Sequence, residues 1–401
     1  MAELSLPRVL FFVEGYTDIR FVVGLSEVCD LTMAVPARAY EESGLKARVA
    51  ASGARLQVHE IAGGRASFQL RSFAYLWNAV RDFDLVFSQE MLRGSLNATL
   101  VGALRGVPVV TSMALPPVEY FRCRHERGQI GAVRAWLGEV VIRSLLVING
   151  KAATACVALG PYLRDLAGRY CVRTERWFYY GVDVKVFRPA TADERVALRK
   201  KLGLPLNKFL IILSSRISHE KDPETVLRAT ALARKQGLDA VIMNLGGGFK
   251  SFLARAKELG ITDAEEWMIG RPPVHPMQDL CEYFQAADLV IQSSLAEGAA
   301  FSTLEALACE TPVIATDLGG MAVQLAGVAQ LTPRQDPQAM AGAILWAARH
   351  RGEAVAQAKK GREYVVANWR REKAFGDLKA VLEKAASSRL PTPDYRLSTT
   401  D

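Results

Sequence analysis

Two runs of short apolar strands, each alternating with helical stretches, constrain this chain more than any other feature. In the first run "RVLFFV" (8–13), "LTMAVP" (31–36), "DLVFSQ" (84–89) and "VPVVTSM" (107–113) read as strands, and "RSFAYLWNAV" and "GSLNATLVGALRG" have helical periodicity. The same grammar restarts with "KFLIILSS" (208–215), "DAVIMNLG" (239–246), "EWMIG" (266–270), "ADLVIQSS" (287–294) and "TPVIAT" (311–316). Strand–helix–strand repetition demands a parallel sheet with helices on both faces, because parallel neighbours need a long crossover. Two runs in 401 residues predict an α/β chain of two doubly wound domains, 1–187 and 188–367. The linker lies in "YYGVDVKVFRPATADE" (179–194), and the polar segment 387–401 reads as a disordered tail. In open parallel sheets ligands bind beyond the carboxyl ends of the strands, so the expected site is the cleft between the domains.

Bulk properties narrow the function classes. Six scattered cysteines without a C-x-x-C pair read as reduced, mostly buried thiols of a cytoplasmic protein rather than as disulfides or metal ligands. No apolar run reaches bilayer-spanning length, and the N-terminus lacks the basic start and apolar stretch of a signal peptide. The net charge is +8, and most of it belongs to residues 1–190, with 23 Lys+Arg against 17 Asp+Glu. Such an excess suits an anionic lipid surface, a polyphosphate or an acidic glycan; solubility is the plainer reading. "EYFRCRHERGQIGAVRAWLGEVVIRSLL" (119–146) mixes Arg122, Arg124, Arg127 and Arg134 with Tyr120, Phe121 and Trp136. That mixture fits a membrane surface, and equally an amphipathic helix packed on the sheet.

Two loops carry the chemistry. After the strand "KFLIILSS" comes "RISHEKDPETVLRA", where Asp222 suits an N-cap and Pro223 the first helical position. Arg216 and Lys221 then lie between a strand's carboxyl end and a helix, where two cations can hold a diphosphate. After "DLVIQSS" comes "EGAAFSTLE", with Glu297 and Glu305 eight positions apart. Ser302 or Thr303 is the expected cap of the following helix, whose free N–H groups, near Phe301, form an anion site. Gly298, Ala299 and Ala300 would let a ligand approach the backbone closely. Glu305, one turn inside the helix, could accept both hydroxyls of a ribose, and Glu297 those of another sugar. A nucleotide diphosphate sugar presents those three parts in that order. Gly247 and Arg271, which follow strands of the second run, complete the expected donor set.

The stretch "EGAAFSTLEALACETPVIATDLGG" resembles the E-x7-E signature of retaining family-4 glycosyltransferases, the glycosyl transferases group 1. "SSRISHEKDPETVLRA" is similar to the family's G-R-…-E-K segment, "LGGG" (245–248) to the loop after the next strand, and "YYGVDVKVFRP" to its N-G-V-D-…-F-x-P segment. "VANWRREKAFGDL" is similar to its last helix, so residues 368–386 are expected to cross back onto the first domain. The resemblance implies the GT-B fold, a UDP- or GDP-sugar donor, a glycan or glycolipid acceptor, and catalysis by Glu297, Arg216 and Lys221 without a metal or other cofactor. It also implies polysaccharide, lipopolysaccharide or glycolipid synthesis in the cytoplasm, at the inner face of the membrane. The chain departs from the pattern in having Gly15 alone after the first strand, Met113 in place of a histidine that touches the donor sugar, Tyr180 in place of Asn, and Val323 in place of Glu. Methionine at 113 would suit a donor sugar lacking a polar contact there, such as a 6-deoxy sugar or a pentose.

Other readings stay open. The D-x-D formed by Asp82 and Asp84 joins a helix to a strand and reads as capping rather than metal binding. "LGGGF" lacks the third glycine and the acid of a dinucleotide fingerprint, and His219 reads as a solvated loop residue. A sugar-nucleotide epimerase or hydrolase of the same fold, or a catalytically silent binding protein, are the alternatives to transfer.

Overall fold

The computed structural model describes residues 6–274 and 279–388. The first sheet has seven parallel strands, β1 (Arg8–Phe12), β2 (Asp30–Pro36), β3 (Leu56–Ile61), β4 (Leu85–Ser88), β5 (Val109–Met113), β6 (Ala155–Leu159) and β7 (Thr174–Trp177), in the order β3-β2-β1-β4-β5-β6-β7. The second has six, β8 (Phe209–Leu213), β9 (Ala240–Leu245), β10 (Met268–Arg271), β11 (Leu289–Gln292), β12 (Val313–Thr316) and β13 (Gln330–Thr332), in the order β10-β9-β8-β11-β12-β13. Both sheets are α/β and doubly wound, as the alternation requires. β3, β6, β7 and β13 went unread in the sequence. β3 alternates half-buried and exposed residues as an edge strand does, and β7 and β13 are only four and three residues long. Of "EWMIG", Glu266 and Trp267 close a short helix, and the strand starts at Met268.

The central strands β4, β5, β6 and β8 are buried at every position, because helices cover both faces of each sheet. Strand order reverses between β1 and β4 and again between β8 and β11. These two switch points aim the carboxyl ends of their strands at the seam between the sheets, where loops without regular pairing are free to carry side chains.

The last helix, Arg371–Ala386, lies on the first domain. Gly24 accommodates it: a Cβ there would stand 2.0 Å from the Phe375 ring. Val182 and Arg370 form a bridge, with Val182 N–H donating to Trp369 at 2.7 Å and Arg371 N–H to Val182 at 2.9 Å. Gly181 makes this crossing possible, since it has φ +63° and a Cβ would sit 2.7 Å from Arg371 Cα. Arg371 also pairs with Glu27 at 2.8 Å. Of the expected tail 387–401, everything beyond residue 388 lies outside the described residues. Among the described residues no helix is long and apolar enough to cross a membrane.

Candidate functional site

The loops after β8 and β11 meet at the seam. Ser293 Oγ donates to the Lys221 carbonyl at 2.6 Å, and Leu295 N–H donates to the Glu220 carbonyl at 2.7 Å. This lacing brings Lys221 Nζ to 2.8 Å from Glu297 Oε1 across 76 residues of sequence, with both side chains largely buried. The other oxygen, Glu297 Oε2, accepts from the Tyr120 hydroxyl of the first domain at 2.7 Å. Burial, and then the Glu297 charge beside it, push the Tyr120 phenol far above its usual range, so it stays a donor. Glu297 therefore orients its carboxylate with one partner from each domain.

Arg216 projects more freely from the same loop, three-quarters exposed, and pairs with Glu220 at 3.4 Å. Its guanidinium thus remains available to an anion at the cleft. Asp222 does not cap the helix Pro223–Lys235 through its side chain. Its backbone is left-handed (φ 44°), and its carboxylate accepts from Thr225 Oγ1 at 2.6 Å and pairs with Arg127 of the first domain. Its carboxylate is needed to neutralise a cation rather than to satisfy the helix start.

The helix Phe301–Ala308 starts before both of its expected caps. Ala300 is the N-cap residue, Thr303 Oγ1 turns back to the Ala300 carbonyl at 2.6 Å, and Ser302 Oγ reaches only Gln292 at 3.4 Å. Gly298 is not open to a ligand. A Cβ there would meet Leu163 Cδ1 at 2.4 Å and the Ala114 carbonyl at 2.7 Å, so the residue admits the first domain. Ala300 is buried, and its N–H donates to Gln324 at 3.2 Å. Gly247 faces open space, and its carbonyl accepts from Ile217 N–H at 3.0 Å. Arg271 ends the edge strand β10 and donates to the Leu202 carbonyl at 3.3 Å, a contact unconnected with the Lys221–Glu297 cluster.

Glu305 is buried, 3% exposed, and its Oε1 accepts from Arg20 Nη1 at 2.7 Å. Burial raises its pKa, and the Arg20 charge acts in the opposite direction. Arg20 is itself fixed: Asp18 accepts from its Nε and Nη2, the Tyr180 hydroxyl accepts from Nη2 at 2.7 Å, and its guanidinium lies 3.9 Å over the Tyr180 ring. Tyr180 in turn packs on Phe301, centroids 4.4 Å apart. The position where Tyr180 replaces asparagine thus supplies the aromatic shelf on which Arg20 reaches Glu305.

Met113 ends β5, buried, on the wall of a cavity of about 760 Å³ at the carboxyl edge of the first sheet. The Asp84 carboxylate accepts the Arg8 N–H at 2.8 Å and pairs with the Arg8 guanidinium at 3.0 Å, so it ties strand ends together. The cysteines are all free thiols, five of them buried.

Sequence reasoning did not assign Arg20 or Tyr120 to the site. Tyr120 stood out only as part of a basic–aromatic stretch, and Arg20 had no local signal at all. Their partners are 177 and 285 residues away, and no periodicity reports such a pairing.

The chain is similar to known proteins in sequence and in fold. Residues 194–364 match the family model described as glycosyl transferases group 1. D-inositol 3-phosphate glycosyltransferase 1 of Catenulispora acidiphila is 31% identical over 265 residues, which is 62% of this chain; the chain spans 59% of that relative's length. Among solved structures, sucrose-phosphate synthase from Thermosynechococcus elongatus matches with a TM-score of 0.73 at 17% identity, covering 96% of this chain and all of that one. HepE of Anabaena, crystallised with UDP-glucose, matches with a TM-score of 0.71 at 16% identity, covering 94% of this chain and all of that one. These structural likenesses establish the two-domain GT-B fold. The likeness to the glycosyl transferases group 1 is carried by residues 194–364, and the chain spans less than two thirds of the length of the curated relatives it matches.

Proposed function

We propose that this protein transfers a sugar from a UDP- or GDP-sugar to an acceptor hydroxyl with retention of anomeric configuration, and does so without a metal. The observation that carries the reading is the Lys221–Glu297 contact at 2.8 Å, beside the start of the helix Phe301–Ala308 and the exposed Arg216. Lys221 and Arg216 would neutralise the departing diphosphate, with the first free N–H groups of that helix adding partial positive charge. Glu297 would hold hydroxyls of the donor sugar. The acceptor would attack the face the diphosphate leaves, and a phosphate oxygen would take its proton. Relatives named as glycosyltransferases and a structural neighbour crystallised with UDP-glucose support this assignment.

The acceptor in this reading is a glycan or glycolipid of polysaccharide, lipopolysaccharide or glycolipid synthesis, met at the cytoplasmic face of a membrane. The helix Ala132–Ala152 supports that setting, because it exposes Val133, Trp136, Leu137, Val140 and Val141 beside Arg134 and Arg143. Calorimetry with UDP- and GDP-sugars, followed by NMR of the product's anomeric centre, tests the reading. Lys221→Ala should nearly abolish turnover while EDTA leaves the wild type active. An inverted product, or strict dependence on Mn²⁺ or Mg²⁺, would overturn it.

One observation favours a second reading. Arg20 holds the carboxylate expected to receive the ribose, as it would in a silent binding protein of this fold. Saturable donor binding with no transfer to any acceptor would select it.

A further inference from the structure

The helix Phe301–Ala308 begins at the loop that carries Glu297 and ends at Cys309, away from the cleft. There the Cys309 Sγ stands 3.8 Å from the Sγ of Cys281, which belongs to the helix Leu280–Ala286. The two helices pack directly on each other. Thr311 Oγ1, two residues past Cys309, donates to the Phe284 carbonyl at 2.8 Å. The sulfurs are therefore held in contact by bonds made outside the pair.

Their surroundings differ. Cys281 Sγ donates to the Val186 carbonyl at 3.0 Å, in the segment that links the domains. A hydrogen bond from Cys309 holds the Cys281 thiol below its usual range, and burial pushes the Cys309 thiol well above it. The thiolate is the nucleophile, so Cys281 is the sulfur prepared to react and Cys309 the one that keeps its proton. Neither is sealed. Cys281 is 7% and Cys309 5% exposed, and Cys309 lines a cavity of about 410 Å³ on the wall with Phe209 and Pro312. A cavity of that size admits a molecule little larger than water. The other thiols are placed differently. Cys29 and Cys123 turn to backbone carbonyls. Cys156 neighbours Cys171, but both turn to Met91 Sδ, at 3.2 and 3.7 Å, and Cys156 is fully buried.

We infer that Cys281 and Cys309 are a dithiol modification site, which hydrogen peroxide closes to a disulfide and a thiol reductant reopens. The Cys281 sulfur attacks one peroxide oxygen, the O–O bond breaks, and the other oxygen leaves as water, so Cys281 becomes a sulfenic acid. The Cys309 sulfur then displaces that hydroxyl as a second water, and the sulfur–sulfur bond forms. In all, two thiols lose two protons and two electrons, and one peroxide becomes two waters. Closure takes the sulfurs from van der Waals contact to bonding distance. It pulls on the end of the donor helix, where Cys309 N–H donates to the Glu305 carbonyl at 3.2 Å, and it strips the Val186 carbonyl of its thiol donor. The helix that carries Glu305 is thereby loosened. The consequence for a nucleotide rests on the glycosyl-transfer reading; the disulfide and the change in the helix do not.

The test treats the full chain with hydrogen peroxide, quenches with catalase, blocks free thiols with N-ethylmaleimide in denaturant and maps the peptides by mass spectrometry. A pair of peptides linked through Cys281 and Cys309 is expected, and dithiothreitol should remove it. Cys281→Ser, which keeps a donor for Val186, and Cys309→Ala should each form no link. In the linked wild type, amide exchange over residues 301–308 should quicken about fivefold. Calorimetric affinity for UDP or GDP should fall about fivefold and return with dithiothreitol. Sulfinic acid at Cys281 without a link, or a link between Cys156 and Cys171 instead, would overturn the inference. Equal amide exchange in the linked and reduced chains would overturn it as well. A Cys281–Cys309 link with quickened exchange, in a chain that binds neither UDP nor GDP when reduced, would keep the thiol site and overturn the transfer reading instead.

Discussion

Arg20 Nη1 donates to Glu305 Oε1 at 2.7 Å, and this contact joins the first helix of one domain to the helix that follows β11 in the other. Both side chains are largely buried, with Arg20 15% and Glu305 4% exposed. A buried pair of this kind is costly to break from one side, because the remaining charge loses its partner without regaining water. The pair also sets how the protein meets a nucleotide: hydroxyls that approach Glu305 must share it with Arg20 or displace it.

Arg20→Ala should therefore destabilise the protein by about 3–5 kcal/mol in denaturant titrations. Arg20→Met combined with Glu305→Gln should recover the part of that loss that comes from Glu305, while Asp18 still lacks its partner. Equal stability of the single and double variants would show that the pair is not coupled.

The Tyr120–Glu297 contact gives a second expectation. Tyr120→Phe keeps the ring and removes the donor to Glu297 Oε2. Loss of one hydrogen bond to a charged group costs about 1.5–3 kcal/mol, so kcat/KM for the donor should fall on the order of tenfold to a hundredfold. Melting should move little, because the half-site on Lys221 remains. An unchanged kcat/KM would detach Tyr120 from the reaction.

Gly298→Ala should loosen the seam. The new methyl would stand 2.7 Å from the Ala114 carbonyl, a backbone atom with little freedom to move. Overpacking of this kind costs about 1–3 kcal/mol, read as a lower melting temperature. The companion Gly247→Ala meets open space and should leave melting nearly unchanged.

Glu139 supplies the pH dependence. Hydrogen bonds from Arg122 and then Arg143 lower its pKa to about 2, and they tie the helix Pro117–Glu126 to the helix Ala132–Ala152. Its folded pKa lies below the unfolded value of about 4.3. The unfolded state therefore binds the proton first, and the contribution is present above about pH 4.3 and lost as pH falls toward 2. In Glu139→Gln that part of the acid slope should vanish. NMR titration of the Glu139 carboxyl with a midpoint near 4.3 would refute the assignment.

Much of this protein was written locally. Apolar runs four to seven residues long, spaced by helical stretches, determined two parallel sheets, because each strand's burial and each crossover length are properties of a short segment. The "EGAAFSTLE" and "RISHEKD" loops were legible for the same reason: they follow strands, and in this architecture strand ends face the cleft. The edge strand β3 escaped because one of its faces is wet, and β13 because three residues carry no period. What only the tertiary structure decided is which partner each site residue takes. Ser302 and Thr303 lost the capping role to a helix start that packing placed earlier. Gly298 was claimed by Ala114 and Leu163, Asp222 by Arg127, Glu297 by Tyr120 and Glu305 by Arg20. Every one of these partners comes from the other domain, so the pairing depends on how two independently wound sheets are docked. Docking is fixed by the shape and charge of whole surfaces, which no stretch of sequence contains by itself.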